Sequence, residues 1–453
     1  MAFPGRQGMP KGVNSWQMAA FAAPGLALGS VGLPLVIYLP AYYATVVGLS
    51  LPAIGSAFLL VRVLDLGFDP VAGALMDRTQ TRWGRFRPWM AGGAPVLAFA
   101  VWALSSPPAH AGFLYLIGCL LLTYAAYSVC YLAQLAWGAA LSSDYGLRSK
   151  IFSWWAGANL LGLTLVLALP LVLTGAGSDP SATVRAMAVF VTGTLIVGGA
   201  IALLFAPEPR IVAGRAGGDL RDYLAILARP TVARLLAADL LYGTALGIDG
   251  AIFFFFFQSV KHLTAAQVTL VLFANMAGAL SAAPAWGWLA GRIGRHRAAV
   301  VAFTGFAAFQ VAIDLAPSAP VALEMVVLYL AGTALSGGPI LIRSMMADAG
   351  DEARLDEGVD RTGLLAALFS GTNKLGYAFA PGITFLVLPL FHFDARAAAQ
   401  PGTALFGLRL LYVYLPLGLA LACVLAMRGY RLTAAKHAEI CAALALREAA
   451  AAS

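Results

Sequence analysis

A chain of 453 residues that is 60% hydrophobic and only 11% charged, with a mean hydropathy of +0.82, has too little polar surface to fold as a soluble protein of its size. Its net charge of +8 and pI near 9.4 come from basic residues clustered between apolar segments; they are topology signals and give no nucleic-acid partner. The four cysteines (Cys119, Cys130, Cys423, Cys441) lie in or beside apolar segments without paired spacing, so neither a disulfide framework nor a zinc site is supported and they read as inert packing residues.

In chain order, residues 1–16 are polar and Gly-rich, with Arg6 and Lys11, and read as a cytoplasmic N-terminus with no cleaved targeting segment. Hydropathy then predicts twelve spans near the length the hydrocarbon core requires: 17–44, 52–77, 88–106, 112–141, 151–174, 184–206, 232–258, 266–290, 298–316, 320–346, 363–390 and 405–427. Helices are the required element, because only helices or closed barrels satisfy the backbone inside lipid and these segments are too long for barrel strands. The expected organisation is an N-terminal six-helix bundle at 17–206, a cytoplasmic linker at 207–231 carrying Pro207, Pro209 and Gly pairs, a C-terminal six-helix bundle at 232–427, and a cytoplasmic tail at 428–453. The fold class is therefore an all-α, multi-pass protein of the cell inner membrane.

The second span carries Arg62, Asp65 and Asp69, which helical offsets of three and seven residues place on one stripe. Facing lipid, three such charges would cost about 8 to 10 kcal/mol, so lipid is excluded as their neighbour. Intramembrane charge is by default a functional signal, the bland alternative being a salt bridge that only fixes packing. Two carboxylates a turn apart in low dielectric repel unless a proton or a metal cation sits with them, which makes Asp65 and Asp69 the candidate cation ligands for Na⁺ or H⁺.

Basic residues also set the orientation. With the N-terminus inside, the inner loops hold Arg78, Arg82, Arg85 and Arg87; Arg148 and Lys150; Arg210, Arg215, Arg221 and Arg229; Arg292, Arg295 and Arg297; and Arg354 and Arg361, while the outer loops hold Arg185, Lys261 and Arg396. Both termini are thus expected in the cytoplasm. A weak internal repeat agrees with six plus six: Gly73-Ala-Leu-Met-Asp77-Arg78, closing with Arg82-Trp-Gly84-Arg85, after the second span, and Gly287-Trp-Leu-Ala-Gly291-Arg292-Ile-Gly294-Arg295 after the eighth.

The run Arg62-Val-Leu-Asp65-Leu-Gly-Phe-Asp69-Pro70-Val-Ala-Gly73, leading into Asp77-Arg78-Thr-Gln-Thr-Arg82-Trp83-Gly84-Arg85-Phe-Arg87-Pro88-Trp89, resembles the glycoside–pentoside–hexuronide cation symporters of the major facilitator superfamily, the melibiose permease-like group. Asp144-Tyr145-Gly-Leu-Arg148 and the block from Met346-Ala-Asp348 through Gly363 to Asn373-Lys374-Leu-Gly376 extend the resemblance over most of the chain. It implies the major facilitator fold, transport by alternating access of two bundles about a central site, a coupling cation held by Asp65 and Asp69, and Lys374 as a neighbour of that cation beside Arg62. Where that group has acids on the first and fourth spans that grip sugar hydroxyls, this chain has Gly29 and Tyr131.

For the substrate, the fourth span offers Tyr131, Gln134 and Trp137, the last two on one helix face and fit for a polyol or equally for packing. Asp249 in the seventh span is a candidate replacement acid, the alternative being that it pairs with another buried polar group; Asp239 is a poorer one. Phe253 to Phe257 cover every face of a helix and contact lipid or neighbouring helices, so they do not make a ligand box. Asn159 and Asn275 read as interhelical hydrogen-bonding residues. A sugar or glycoside is the favoured solute; an amphipathic one such as a lysophospholipid, carried by a branch of the resembled family, is the alternative, with a non-transporting sensor or scaffold behind it.

At the inner face, Arg78, Arg82, Arg85, Arg87 and Arg148 together with Asp77, Asp144, Asp348, Asp351 and Glu352 read as a latch of ion pairs that breaks on inward opening, against a plain topogenic role. The five histidines (His110, His262, His296, His392, His437) fall in loops or at span ends, and no phosphate-binding Gly-rich loop is present, so the reading is not an enzyme and needs no cofactor beyond the coupling ion. The expected partners are a small-molecule substrate and the lipid bilayer, with no obligate protein partner.

Overall fold

The computed structural model describes residues 13–142, 145–173, 179–208, 226–357, 362–397, 399–430 and 432–452. They form α1 (Ser15–Val47), α2 (Leu51–Arg78), α3 (Arg87–Ser105), α4 (Phe113–Ala140), α5 (Tyr145–Leu173), α6 (Pro180–Phe205), α7 (Pro230–Ser259), α8 (Ala265–Ile293), α9 (Arg295–Leu315), α10 (Val321–Glu357), α11 (Thr362–Val387), α12 (Gly402–Met427) and α13 (Ala434–Ala452). Among the described residues eleven helices are long and apolar enough to cross a membrane. The expected span 363–390 corresponds to α11.

Helix starts follow local chemistry. Asn14 with Gln17 and Thr264 with Gln267 form reciprocal capping boxes at α1 and α8, and Asp179 caps α6 by accepting from Ser181 N at 2.9 Å. Pro180 and Pro230 open α6 and α7, where a missing N–H costs nothing. In α1 the prolines at 34 and 40 lack the N–H that an α-helix needs, and π-helical turns at Pro34–Tyr38 and Tyr43–Val47 take up the register change. α10 runs on to Glu357, beyond the apolar limit at 346, because Ala, Arg and Glu keep a helix going after hydropathy has fallen.

The chain divides into two compact units, the first drawn from Met1–Leu35, Val63–Thr174 and Asp179–Gly214, the second from Val36–Arg62, Gly175–Ser178 and Arg215–Ser453. Within the first, α1 packs on α5 and α6, and α3 on α4 and α6. Within the second, α7 packs on α11 and α12, and α9 on α10 and α12. These four pairings are the same with six added to each helix number, so the weak sequence repeat is a repeat of packing. Its two glycines agree: Gly84 and Gly294 both sit in the left-handed region, at φ +109° and +88°, just before the following helix.

In the first unit, Phe21, Phe86, Trp137 and Ile151 share one buried cluster and Leu28, Met90, Leu97 and Cys130 another. Glu208 accepts from Phe86 N at 2.6 Å and from Arg87 N at 3.2 Å, covering the open start of α3, while Arg87 Nη2 donates to Ala206 O at 2.9 Å. Among the described residues of the second unit, a large core forms around Tyr242, Phe303 and Phe306. In the same unit the five phenylalanines Phe253 to Phe257 are all buried, and Phe256 stacks on Tyr412 of α12 at 4.2 Å, so they pack against protein. Beyond α7, Lys261 lies 3.0 Å from the fully buried Glu324 and donates to Ala316 O at 2.5 Å, tying three loops and helix ends together.

The α1–α5 crossing is close enough that a β-carbon at Gly162 would collide with Leu26 O, whereas one at Gly118 meets nothing within 4 Å. Gly162→Val is therefore expected to destabilise the protein by about 1 to 3 kcal/mol and Gly118→Ala to leave it within about 0.5 kcal/mol, read as detergent-solubilised thermal unfolding. Equal melting of the two variants would contradict the crossing.

Candidate functional site

α2 is unbroken from Leu51 to Arg78, so its backbone carries Arg62, Asp65 and Asp69 along one stripe. Asp65 is 8% exposed and Asp69 partly buried. From α4 the buried Ser128 donates its hydroxyl to Asp65 Oδ1 at 3.3 Å. Sequence reasoning missed Ser128, because a hydroxyl inside a span carries no charge signal; its one available clue was its place a turn before Tyr131. The remaining predicted neighbour, Lys374, belongs to α11, and its side chain lies outside the described residues.

One turn along α4, Tyr131 stacks on Tyr127 with ring centroids 5.8 Å apart and meets Trp155 of α5 at 5.5 Å. All three rings are partly exposed, which makes a small aromatic wall, and Trp155 was not singled out from the sequence. Gln134 and Trp137 are more deeply engaged. Gln134 Nε2 donates to Phe21 O at 2.9 Å and its Oε1 accepts from Trp155 Nε1 at 2.7 Å; Trp137 Nε1 donates to Pro207 O at 2.8 Å. Gln134 thus reaches the wall through Trp155, while Trp137, fully buried, joins α4 to the segment after α6.

Gly29 lies at the α1–α5 crossing, where a β-carbon would collide with Asn159 O. No acid fits at that place, and the absence of a first-span carboxylate has a steric cause. Asn159 itself donates to Trp155 O of its own helix at 2.9 Å, unlike Asn275, which bridges to Leu328 O of α10 at 3.0 Å. In the second unit Asp249 is 9% exposed and its Oδ2 accepts from Gln310 Nε2 of α9 at 2.7 Å, so it has a buried polar partner; Asp239 accepts from Thr372 Oγ1 at 2.8 Å.

At the helix ends, Arg78 and Arg82 are exposed, and Arg85 donates from Nε to Met76 O at 3.0 Å, with its guanidinium over the Phe86 ring. The side chains of Asp77 and Arg148 and the whole of Asp144 lie outside the described residues. Asp348 pairs within the second unit with Arg295, and Arg229 with Asp356 at 3.0 Å. The partner of Arg87 is Glu208, a residue absent from the sequence reading because it falls at the edge of the linker.

Such an arrangement, a buried acid with a hydroxyl on one helix and an aromatic wall a turn away, suits a small cation and a small polar solute. The comparisons agree in kind. The chain is 26% identical to the glucuronide carrier protein homolog of Escherichia coli (strain K12) over 89% of its own length and 90% of the relative's. It is 25% identical to the putative glycoside/cation symporter YagG of the same organism, with 90% of each chain covered, and 26% identical to the isoprimeverose transporter of Lactiplantibacillus pentosus, with 84% and 81% covered. Among solved structures, the nucleoside transporter NupG aligns with a TM-score of 0.68 at 12% identity, covering 91% of this chain and all of that one. A bacterial homolog of the human lysosomal transporter Spinster aligns at 0.66 and 13%, covering 92% and 98%; these two show the shared fold. A family model described as MFS/sugar transport protein matches residues 20–434, and the chain belongs to that family of membrane transporters.

Proposed function

We propose that the protein is a secondary transporter of the inner membrane that couples the uptake of a sugar or glycoside to entry of Na⁺ or H⁺ by alternating access. The observation that carries this reading is the Asp65–Ser128 contact, because it joins the helix of the acid pair to the helix that bears Tyr131. Asp65 and Asp69 hold the ion, Arg62 on the same helix is the positive charge that competes with it, and Lys374 is kept as the neighbour that the family resemblance implies. Tyr131 and Trp155, with Tyr127 behind them, give a sugar face its apolar surface, and Gln134, fixed through Trp155, sets their position. An ion bound to Asp65 holds Ser128 and its helix in place; solute binding to the same helix holds Ser128 against the ion, and linkage requires the two effects to be equal.

Hard oxygen ligands suit Na⁺ and a protonated carboxyl suits H⁺, so the donor set admits either ion. The relatives are named for a glucuronide, a glycoside/cation pair and isoprimeverose, which supports a glycoside over the amphipathic alternative. The excess of arginine in the loops assigned to the inside supports cytoplasmic termini and six helices on either side of the linker. Asp77, Arg78, Arg82, Arg85, Arg148 and Asp348 are retained as inner-face gating groups, whereas Asp249, held by Gln310, follows the alternative of a buried polar pair.

Asp65→Asn and Asp69→Asn are each expected to abolish gradient-driven accumulation in proteoliposomes while solute exchange persists; normal accumulation in both variants would overturn the cation site. Ser128→Ala should raise the half-saturating cation concentration roughly tenfold, the size of a hydrogen bond to a charged group. For the aromatic wall, Tyr131→Ala should raise the apparent KM for the transported glycoside roughly threefold to tenfold and Tyr131→Phe little, since the ring face and not the hydroxyl makes the contact. An unchanged KM in Tyr131→Ala would remove this residue from the solute path.

A further inference from the structure

The tail beyond the last span forms α13, and it is held down. Leu432 and Ile440 are each 4% exposed and join the core of the second unit beside Met345 and Ala349 of α10, and Arg447 donates to Leu355 O. On its α10-facing side, His437 and Cys441 are four residues apart and so lie on one face, the spacing that puts two ligands on one metal. Opposite them on α10, Asp348 and Asp351 are three apart and share a face.

His437 Nε2 is the centre of the group. It lies 2.9 Å from Asp351 Oδ2, 3.4 Å from Asp348 Oδ1 and 3.5 Å from Cys441 Sγ. A tetrahedral Zn²⁺ with Zn–N near 2.0 Å and Zn–S near 2.3 Å has an N···S edge of about 3.5 Å and an N···O edge of about 3.3 Å. The Cys441 and Asp348 distances match those edges, and Asp351 needs to move outward by a few tenths of an ångström. Donor atoms of Asp351, His437 and Cys441 all lie within 4.8 Å of one another, and Asp348 is already held in place by Arg295.

We propose that Asp351, His437 and Cys441 form a site for Zn²⁺ or a similar borderline divalent cation, with Asp348 or water as the fourth ligand, that clamps α13 to α10. The donor set of imidazole, thiolate and carboxylate selects zinc-like ions over Na⁺, Mg²⁺ and Ca²⁺, which prefer oxygen alone. Charge supports it too: one thiolate and one carboxylate neutralise a divalent ion, and Asp348 has Arg295 as its counter-charge. On binding, the Cys441 S–H bond breaks, its proton leaves to water, and a sulfur–metal bond forms. Cys441 is exposed, which gives the ion a route in, and the cytoplasmic tail of the proposed topology would keep the thiol reduced.

The test uses full-length protein, purified with a non-chelating reductant and titrated with Co²⁺ as the spectroscopic stand-in for Zn²⁺. The expected result is one Co²⁺ per chain with the visible bands of a tetrahedral ion and a near-ultraviolet thiolate-to-cobalt band, all bleached by Zn²⁺. Cys441→Ser should remove the thiolate band, and His437→Ala should weaken binding by roughly tenfold or more. Zn²⁺ should also raise the melting temperature of the native chain and not of Cys441→Ser, a readout independent of colour and of transport. Absence of the thiolate band from the native chain, or its persistence in Cys441→Ser, would overturn the proposal.

Discussion

A carboxylate buried within a helix that crosses a membrane is the constraint around which the first unit is organised. Asp65 cannot face lipid, because the insertion cost of about 2.5 to 3.5 kcal/mol has no return there. It must therefore be turned to other protein groups, and α4 supplies one in Ser128. From that contact follows the orientation of α4, which places Tyr131 a turn away against Trp155 of α5. In the proposed function, the acid of the ion on α2 and the aromatic surface for the solute on α4 are linked through Ser128.

The same unit shows why position 29 carries no acid of the kind that the resembled symporters have on the first span. α1 and α5 cross at such close range that position 29 has no room for any side chain, and Asn159, whose carbonyl fills that room, points its amide along its own helix. The pairing of α1 with α5 and α6 recurs as α7 with α11 and α12, so the second unit repeats the framework without repeating the acid pair. In its place α7 carries Asp249 bound to Gln310 and a block of phenylalanines closed over by Tyr412.

Much of this was legible in the residues. The spans were, because apolar runs of membrane length leave little freedom, and α2 to α4 begin and end within a residue or two of the hydropathy limits. The burial of Asp65 within α2 was as well, since charge inside an apolar helix is conspicuous. Three things were not. The burial of Phe253, Phe256 and Phe257 draws on Tyr412 of α12, which arrives from more than 150 residues away. Trp137 reads alike whether it faces a solute or, as found, donates to Pro207 O. His437 and Cys441 were each weighed alone, as a loop histidine and a packing cysteine, although their four-residue spacing was visible; what makes them a group is Asp351, brought from α10 by the fold.

The central claim is that ion and solute are bound by one coupled site, and equilibrium linkage tests it most directly. Titration calorimetry of a transported glycoside into purified protein, with and without saturating Na⁺ and at two pH values, measures the factor by which the ion tightens the solute; titrating the ion with and without glycoside measures the reverse. The account predicts that the two factors agree, exceed about fivefold, and vanish in Asp65→Asn. Glycoside affinity that ignores both Na⁺ and pH in the native chain, or a coupling factor that survives in Asp65→Asn, would contradict it.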